Sequence, residues 1–258
     1  MTSGSQHPIV ALWCHPRSTS TVVERIMRER GDFTCLHEPF MYYYYVHLAV
    51  KTMPHFDADP SRPAAFDDVI AHVFGKAQFS PVFFKDMSYY VVPTIFQHEA
   101  LARRLTHVFL IRDPRKSMVS YYKLDRDLRL DEIGLEAQWR HVQWLNANSD
   151  EPPMVIEAEA IQRNPKGVMG LMWEALGLSF IEHAFEWDAE NAPDEWQQVA
   201  GWHQTAANSR RIEPTPEEDE ATIRSAFDKA AADAPYLRDH LDHHWPFYQR
   251  LKELASRD

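Results

Sequence analysis

Five short apolar runs constrain this chain more than any other feature. They are IVALWC (Ile9 to Cys14), FTCLH (Phe33 to His37), PVFFKD (Pro81 to Asp86), THVFLIR (Thr106 to Arg112) and MVIEA (Met154 to Ala158). Each reads as a strand, and helical patterns lie between them. Strands that alternate with helices predict βαβ units and a mostly parallel sheet. In such sheets ligands bind at the carboxyl ends of the strands. Four of the five runs stop at ionisable residues: His15-Pro16-Arg17, His37-Glu38-Pro39, Lys85-Asp86 and Arg112-Asp113-Pro114. The sequence therefore predicts one charged rim.

The 258 residues, 45% apolar, fit one α/β domain spanning 1–258 with a sizeable core. A net charge of −11 argues against a nucleic-acid partner. It leaves room for a small anionic ligand held by local arginines. Cys14 and Cys35 supply neither a disulfide framework nor a cysteine zinc site. The start, MTSGSQHP, lacks the pattern of a signal peptide. FMYYYYVHLAV is too short to cross a bilayer and carries His47. The expectation is a cytoplasmic protein with no membrane partner; the sequence does not give its oligomeric state.

The first rim segment, HPRSTSTVVER, follows a strand and opens a helix. Val22, Val23, Ile26 and Met27 share one helical face, with Arg25, Arg28 and Glu29 on the other. Ser18, Thr19, Ser20 and Thr21 can cap the helix or bond an anion, which the helix dipole and Arg17 also favour. The segment lacks the GxxxxGK[ST] pattern and its lysine, which disfavours an ATP or GTP site. The second rim segment is IRDPRKSMVSYYKL: a strand ends at Arg112, Asp113-Pro114 turns the chain, and a helix with Met118, Val119 and Tyr122 carries Ser120. A strand-end arginine and a helix serine can converge on one phosphate.

Together, PRSTST and IRDPRKSMVSYYKL resemble the sulfotransferase family that uses 3′-phosphoadenylyl sulfate (PAPS). HEPF, FFKDM and MVIEAEAIQRNPKGVMGLMWEALGLSF (Met154 to Phe180) extend the resemblance over residues 9–180. It implies a P-loop-like three-layer fold: a central, mostly parallel sheet of about five strands, and a helical C-terminal part. It implies PAPS as co-substrate, a small-molecule acceptor with a hydroxyl or amine, and transfer without a metal. Arg17, Ser18, Thr19, Ser20 and Thr21 would hold the 5′-phosphosulfate; Arg112 and Ser120 would hold the 3′-phosphate. Arg210 and Arg211 fit either a late basic segment that in relatives closes over that phosphate or a plain surface pair. The chain departs from the family at several places. Thr19 replaces the usual loop glycine, Arg17 stands where many members carry lysine, and Val22 replaces an aromatic residue. Lys85-Asp86-Met87 replaces a K-T-H triplet whose histidine is catalytic in cytosolic members.

For the catalytic set, Arg17 and Lys85 would stabilise charge on the bridging oxygen and leaving phosphate. Glu38 is the first choice of base, with His37 and Asp86 next. Two other readings stay open: a P-loop nucleotide kinase or phosphotransferase, and a non-catalytic nucleotide-binding protein of the same fold. Residues 54–66 are expected to form a loop, and 191–220 a lid. MYYYYVHL (Met41 to Leu48) fits either an aromatic acceptor wall or an amphipathic helix. His240, His243 and His244 fit a solvated helix face better than a metal site.

Overall fold

The computed structural model describes residues 7–53, 56–188, 193, 195–196, 202, 209–212 and 214–256. Its centre is a five-stranded parallel sheet: β1 Ile9–Cys14, β2 Thr34–His37, β3 Val82–Met87, β4 Thr106–Ile111 and β5 Met154–Glu157. The order across the sheet is β2-β3-β1-β4-β5, and every pairing is parallel. All five expected strands form. β3 runs one residue past the expected end, so Lys85 and Asp86 lie inside the strand, paired with Leu12 and Trp13. β1 is buried along its whole length, which is why it reads as a continuous apolar run.

The connections between strands are helical. α1 (Ser20–Glu29) follows β1, and α2 (Phe66–Lys76) precedes β3. The short α3 (Ser88–Val91) and α4 (Ala100–Arg104) lie between β3 and β4. α5 (Pro114–Tyr122) and α6 (Leu135–Asn148) link β4 to β5, and α7 (Ala158–Arg163) and α8 (Pro165–Ala175) follow β5. The expected C-terminal helices are α9 (Glu220–Asp233) and α10 (Tyr236–Ala255); α10 packs on α5, α6 and β5. α5 begins earlier than Met118 because Asp113 caps it, accepting from Arg115 N at 2.9 Å, and Pro114 suits the first helical position.

The Tyr-rich run is a short π-helix, Tyr43–His47, with Tyr43, Tyr44 and Tyr45 buried. Residues 56–65 are irregular, as expected, while 54–55 fall outside the described residues. Most of the expected lid, 191–220, also lies outside them. No helix among the described residues is long and apolar enough to cross a membrane.

The connections out of β1 and β3 leave in opposite directions, the former to β2 and the latter over β1 to β4. That reversal opens a crevice at the carboxyl ends of β1 and β3. α6 closes the sheet beside it: Gln138 Nε2 donates to Trp13 O and to Leu110 O, both at 3.0 Å.

Candidate active site

The crevice is a cavity of about 340 Å³, within the usual range for small-molecule sites. The loop after β1, the β2 turn, β3, α3 and α5 all contribute to its wall. Pro16, Arg17, Thr19, Ser20, Thr21 and Val22 line it from the first loop. Glu38, Lys85 and Arg112 reach it from three other strand ends. Tyr45, Tyr89, Tyr90 and Tyr121, with Met53 and Met87, form an aromatic and thioether wall.

The first loop is bent rather than glycine-rich. Arg17 and Thr19 adopt the left-handed region, with φ 61° and 72°. Thr19 thus holds the conformation that a glycine takes without cost. Its hydroxyl does not cap α1 but accepts from Gln162 Nε2 at 3.2 Å. The N-terminus of α1 carries no side-chain cap, and its first residues, Ser20, Thr21 and Val22, line the cavity, so the helix dipole favours an anion there. Ser18 is fully buried, and its Oγ has no hydrogen-bond partner among the described residues.

The two rim motifs meet in space. Arg17 Nε donates to Ser120 Oγ at 3.0 Å, and its Nη1 donates to Trp202 O at 2.6 Å. Arg112 Nη1 donates to Arg17 O at 2.7 Å, and Arg112 N donates to His15 Nε2 at 3.0 Å. Burial and the nearby Arg112 charge push His15 down to about 3, so it stays a neutral acceptor. Burial, reinforced by Arg112, pulls Arg17 below its ordinary range, and burial does the same to Arg112. Two guanidiniums held together at this cost form a site that favours an anion. Arg112 Nε is buried without a hydrogen-bond partner among the described residues; Glu159 Oε1 stands 3.9 Å from it.

Across the crevice, Lys85 Nζ donates to Glu38 Oε1 at 2.5 Å. Lys85 is fully buried and Glu38 nearly so. Burial pulls the Lys85 ammonium down, but the charges of Glu38 and Glu24 outweigh it and hold it above its ordinary range. Glu38 sits at φ 42°, a third non-glycine strain point at the rim after Arg17 and Thr19.

His37 and Asp86 are placed differently. Neither lines the cavity. Side chains alternate along a strand, so Lys85 and Asp86 point to opposite faces of the sheet. Asp86 accepts from Phe40 N at 2.7 Å and from Met87 N at 2.9 Å. Burial, reinforced by Glu38, pushes its carboxyl well above the usual range. His37 pairs with Lys85 in the sheet and points toward α1, where Nδ1 meets Glu24 Oε2 at 2.6 Å. Arg211 lines the cavity, and its backbone bridges to Glu186; Arg210 is exposed and does not line it.

Three participants were not singled out from sequence. Gln162 and Trp202 line the cavity, and Trp202 packs against Tyr121 at 5.0 Å between ring centroids. Glu24 is wholly buried behind the Lys85–Glu38 pair. Nothing in helical spacing marks Glu24, because Arg25 beside it is buried as well, donating to Asp188 O at 2.9 Å.

The sulfotransferase domain family model matches residues 8–250. Among solved structures, the sulfotransferase domain of the curacin biosynthetic pathway is similar at 14% identity and TM-score 0.54, covering 90% of this chain and 99% of that one. The sulfotransferase domain of the Synechococcus PCC 7002 olefin synthase gives 13% identity and TM-score 0.51, covering 90% and 98%. A sulfotransferase from Alicyclobacillus acidocaldarius gives 16% identity and TM-score 0.51, covering 98% and 97%. At these identities the likeness is one of fold. An Arabidopsis thaliana protein described as branched-chain-amino-acid aminotransferase-like protein 2 is 23% identical over 211 residues, 78% of this chain. Those residues are 35% of the relative, so this chain spans about a third of the length of the curated protein it matches. The match over nearly the whole chain and the shared sheet lead to one conclusion: the chain belongs to the sulfotransferase family of enzymes.

Proposed function

We propose that this chain transfers the sulfuryl group of PAPS to a hydroxyl or amine of a small acceptor. The observation that carries the reading is the meeting of the two rim motifs, Arg17 on Ser120 and Arg112 on the first loop, opposite a buried Lys85–Glu38 pair. The positive end of the α1 dipole, Ser18 Oγ and Arg17 fit a 5′-phosphosulfate. Arg112, whose Nε has no hydrogen bond among the described residues, and Ser120 fit a 3′-phosphate. Arg211 is placed to approach that nucleotide from the far wall. Trp202 offers the aromatic surface for adenine that the loop lacks at Val22.

Glu38 is assigned as the base because it alone of Glu38, His37 and Asp86 lines the cavity. It would accept the acceptor proton as the acceptor oxygen bonds to sulfur and the sulfur–oxygen bond to the nucleotide breaks. Protonation of Glu38 weakens its hold on Lys85. The freed ammonium can then donate to the bridging oxygen, where negative charge develops. Thus one proton transfer readies both acid and base functions.

The test is release of adenosine 3′,5′-bisphosphate from PAPS in the presence of a panel of phenols, alcohols and amines. The account expects acceptor-dependent release that survives chelators and is lost in Glu38→Gln. Undiminished release by Glu38→Gln would refute the assignment of the base.

A further inference from the structure

Behind the base lies a buried carboxylate that the proposed chemistry leaves unused. Glu24 of α1 is fully buried, and its charge is satisfied from three directions. Arg28 Nε and Nη2 approach Oε1, each at 2.8 Å. Trp196 Nε1 donates to the same oxygen at 3.1 Å. His37 Nδ1 meets Oε2 at 2.6 Å. Burial alone would raise this carboxyl, yet His37 and Arg28 hold it far below the usual range. An ionised Glu24 accepts only, so Nδ1 of His37 carries the hydrogen. The other ring nitrogen, Nε2, stands 4.0 Å from Glu38 Oε1.

The geometry points to Glu24 as a positioning residue for proton removal: it fixes His37 so that Nε2 is a second station for the proton that Glu38 takes from the acceptor. The role in turnover rests on the reading of Glu38 as the base. The order Glu24–His37–Glu38 follows the logic of an acid that orients an imidazole and stabilises its cation. Around the pair stand Arg28 from α1, Lys85 from β3 and Glu38 from the β2 turn, with Glu195 on the outer side of Arg28. Cys14 and Cys35 stay neutral there, because burial pushes both thiols up.

The proton balance closes without another reactant. The acceptor's proton moves to Glu38, then to His37 Nε2, and the resulting imidazolium faces the Glu24 carboxylate. The second step needs the Glu38 carboxyl to turn from Lys85 toward His37, which leaves Lys85 to the bridging oxygen. When product departs, the proton returns through Glu38 to water in the cavity.

The experiment is nitrogen-15 NMR of the full chain with labelled histidine, with His37 assigned by its loss in His37→Gln. In the free wild-type chain, His37 should keep its hydrogen on Nδ1, facing Glu24. In turnover, Glu24→Gln should lower kcat about tenfold or more with KM for PAPS nearly unchanged, because the base keeps its place while the proton loses its second station. Glu24→Asp should restore the Nδ1 tautomer where Glu24→Gln loses it. A tautomer indifferent to Glu24, or a kcat unmoved by Glu24→Gln, would overturn the proposal; a merely structural Glu24 predicts the unmoved kcat. The tautomer is read without nucleotide, so an absence of PAPS turnover in the wild-type chain would count against the proposed function and leave the tautomer as the test of this contact.

Discussion

Replacing Lys85 by methionine gives a sharp physical test of the site. The substitution keeps an unbranched chain of similar size and removes the charge. The lost partner is Glu38 Oε1, 2.5 Å away, with side-chain exposures of 0% and 5% for the two residues. Breaking a buried ion pair from one side strands the other charge and costs about 3–5 kcal/mol. Lys85→Met belongs near the upper end, because the stranded Glu38 carboxylate lies on the same side as ionised Glu24. Glu38→Gln belongs near the lower end, because Glu24 still offsets the Lys85 charge. The double variant removes both charges, so its cost should fall short of the sum by roughly 2 kcal/mol, a coupling of the size seen for residues in contact. Urea unfolding followed by tryptophan fluorescence measures all three. The linkage has a defined sign. The Lys85 ammonium is held above its ordinary range, so its contribution is full below the unfolded lysine value and is lost as pH rises through the higher folded value. The penalty of Lys85→Met should therefore shrink only in strongly alkaline solution. Single variants that each cost under about 1 kcal/mol and simply add would refute the buried-pair reasoning.

Other expectations follow from the same geometry. Arg112→Ala should weaken 3′-phosphorylated nucleotides roughly ten- to a hundredfold, the worth of a charged hydrogen bond, while 5′-AMP binding is nearly unchanged; equal losses, by calorimetry, would sink the 3′-phosphate assignment. Thr19→Gly removes left-handed strain of about 1–2 kcal/mol, but adds roughly 0.5–1 kcal/mol of backbone entropy and loses the Gln162 bond. The melting temperature should therefore move little, and a fall of many degrees would contradict this. Burial pushes His15 to about 3 and His107 to about 4, and His141 well below its ordinary value. Each contributes stability above the unfolded histidine value that is lost as pH falls toward the folded one. Thermal stability should thus fall steadily from about pH 6.5 downward; a flat profile between pH 7 and 5 would refute it.

The sheet was legible because each strand is a compact apolar run ended by a charged or turn residue. The rim was legible for the same reason: Arg17, Glu38, Lys85 and Arg112 all belong to strand-end segments, and all line one cavity. What spacing could not show was the side on which each residue points. Lys85 and Asp86 are neighbours in sequence, yet the pleat sends Asp86 to the backbone amides of Phe40 and Met87. Helix α1 read as one apolar face and one charged face. In the fold, Trp187 and the carbonyl of Asp188 cover Arg25, so part of the charged face is interior. Glu24 was hidden by the same effect. The histidine face of α10 also divides: His243 meets Glu136 at 2.8 Å on the surface, whereas His244 is buried and meets Leu130 O at 2.8 Å. Gln162 and Trp202 come from segments with no motif of their own, and only tertiary packing brings them to the cavity.

The central claim is that the paired arginines recognise a nucleotide with phosphates at both the 5′ and 3′ positions. Calorimetry of the purified chain with adenosine 3′,5′-bisphosphate, against ADP and ATP with Mg²⁺, tests it most directly. The account predicts micromolar binding of the bisphosphate without metal, and far weaker binding of ADP and ATP. Binding of ATP only with Mg²⁺, or of none of the three, would contradict it.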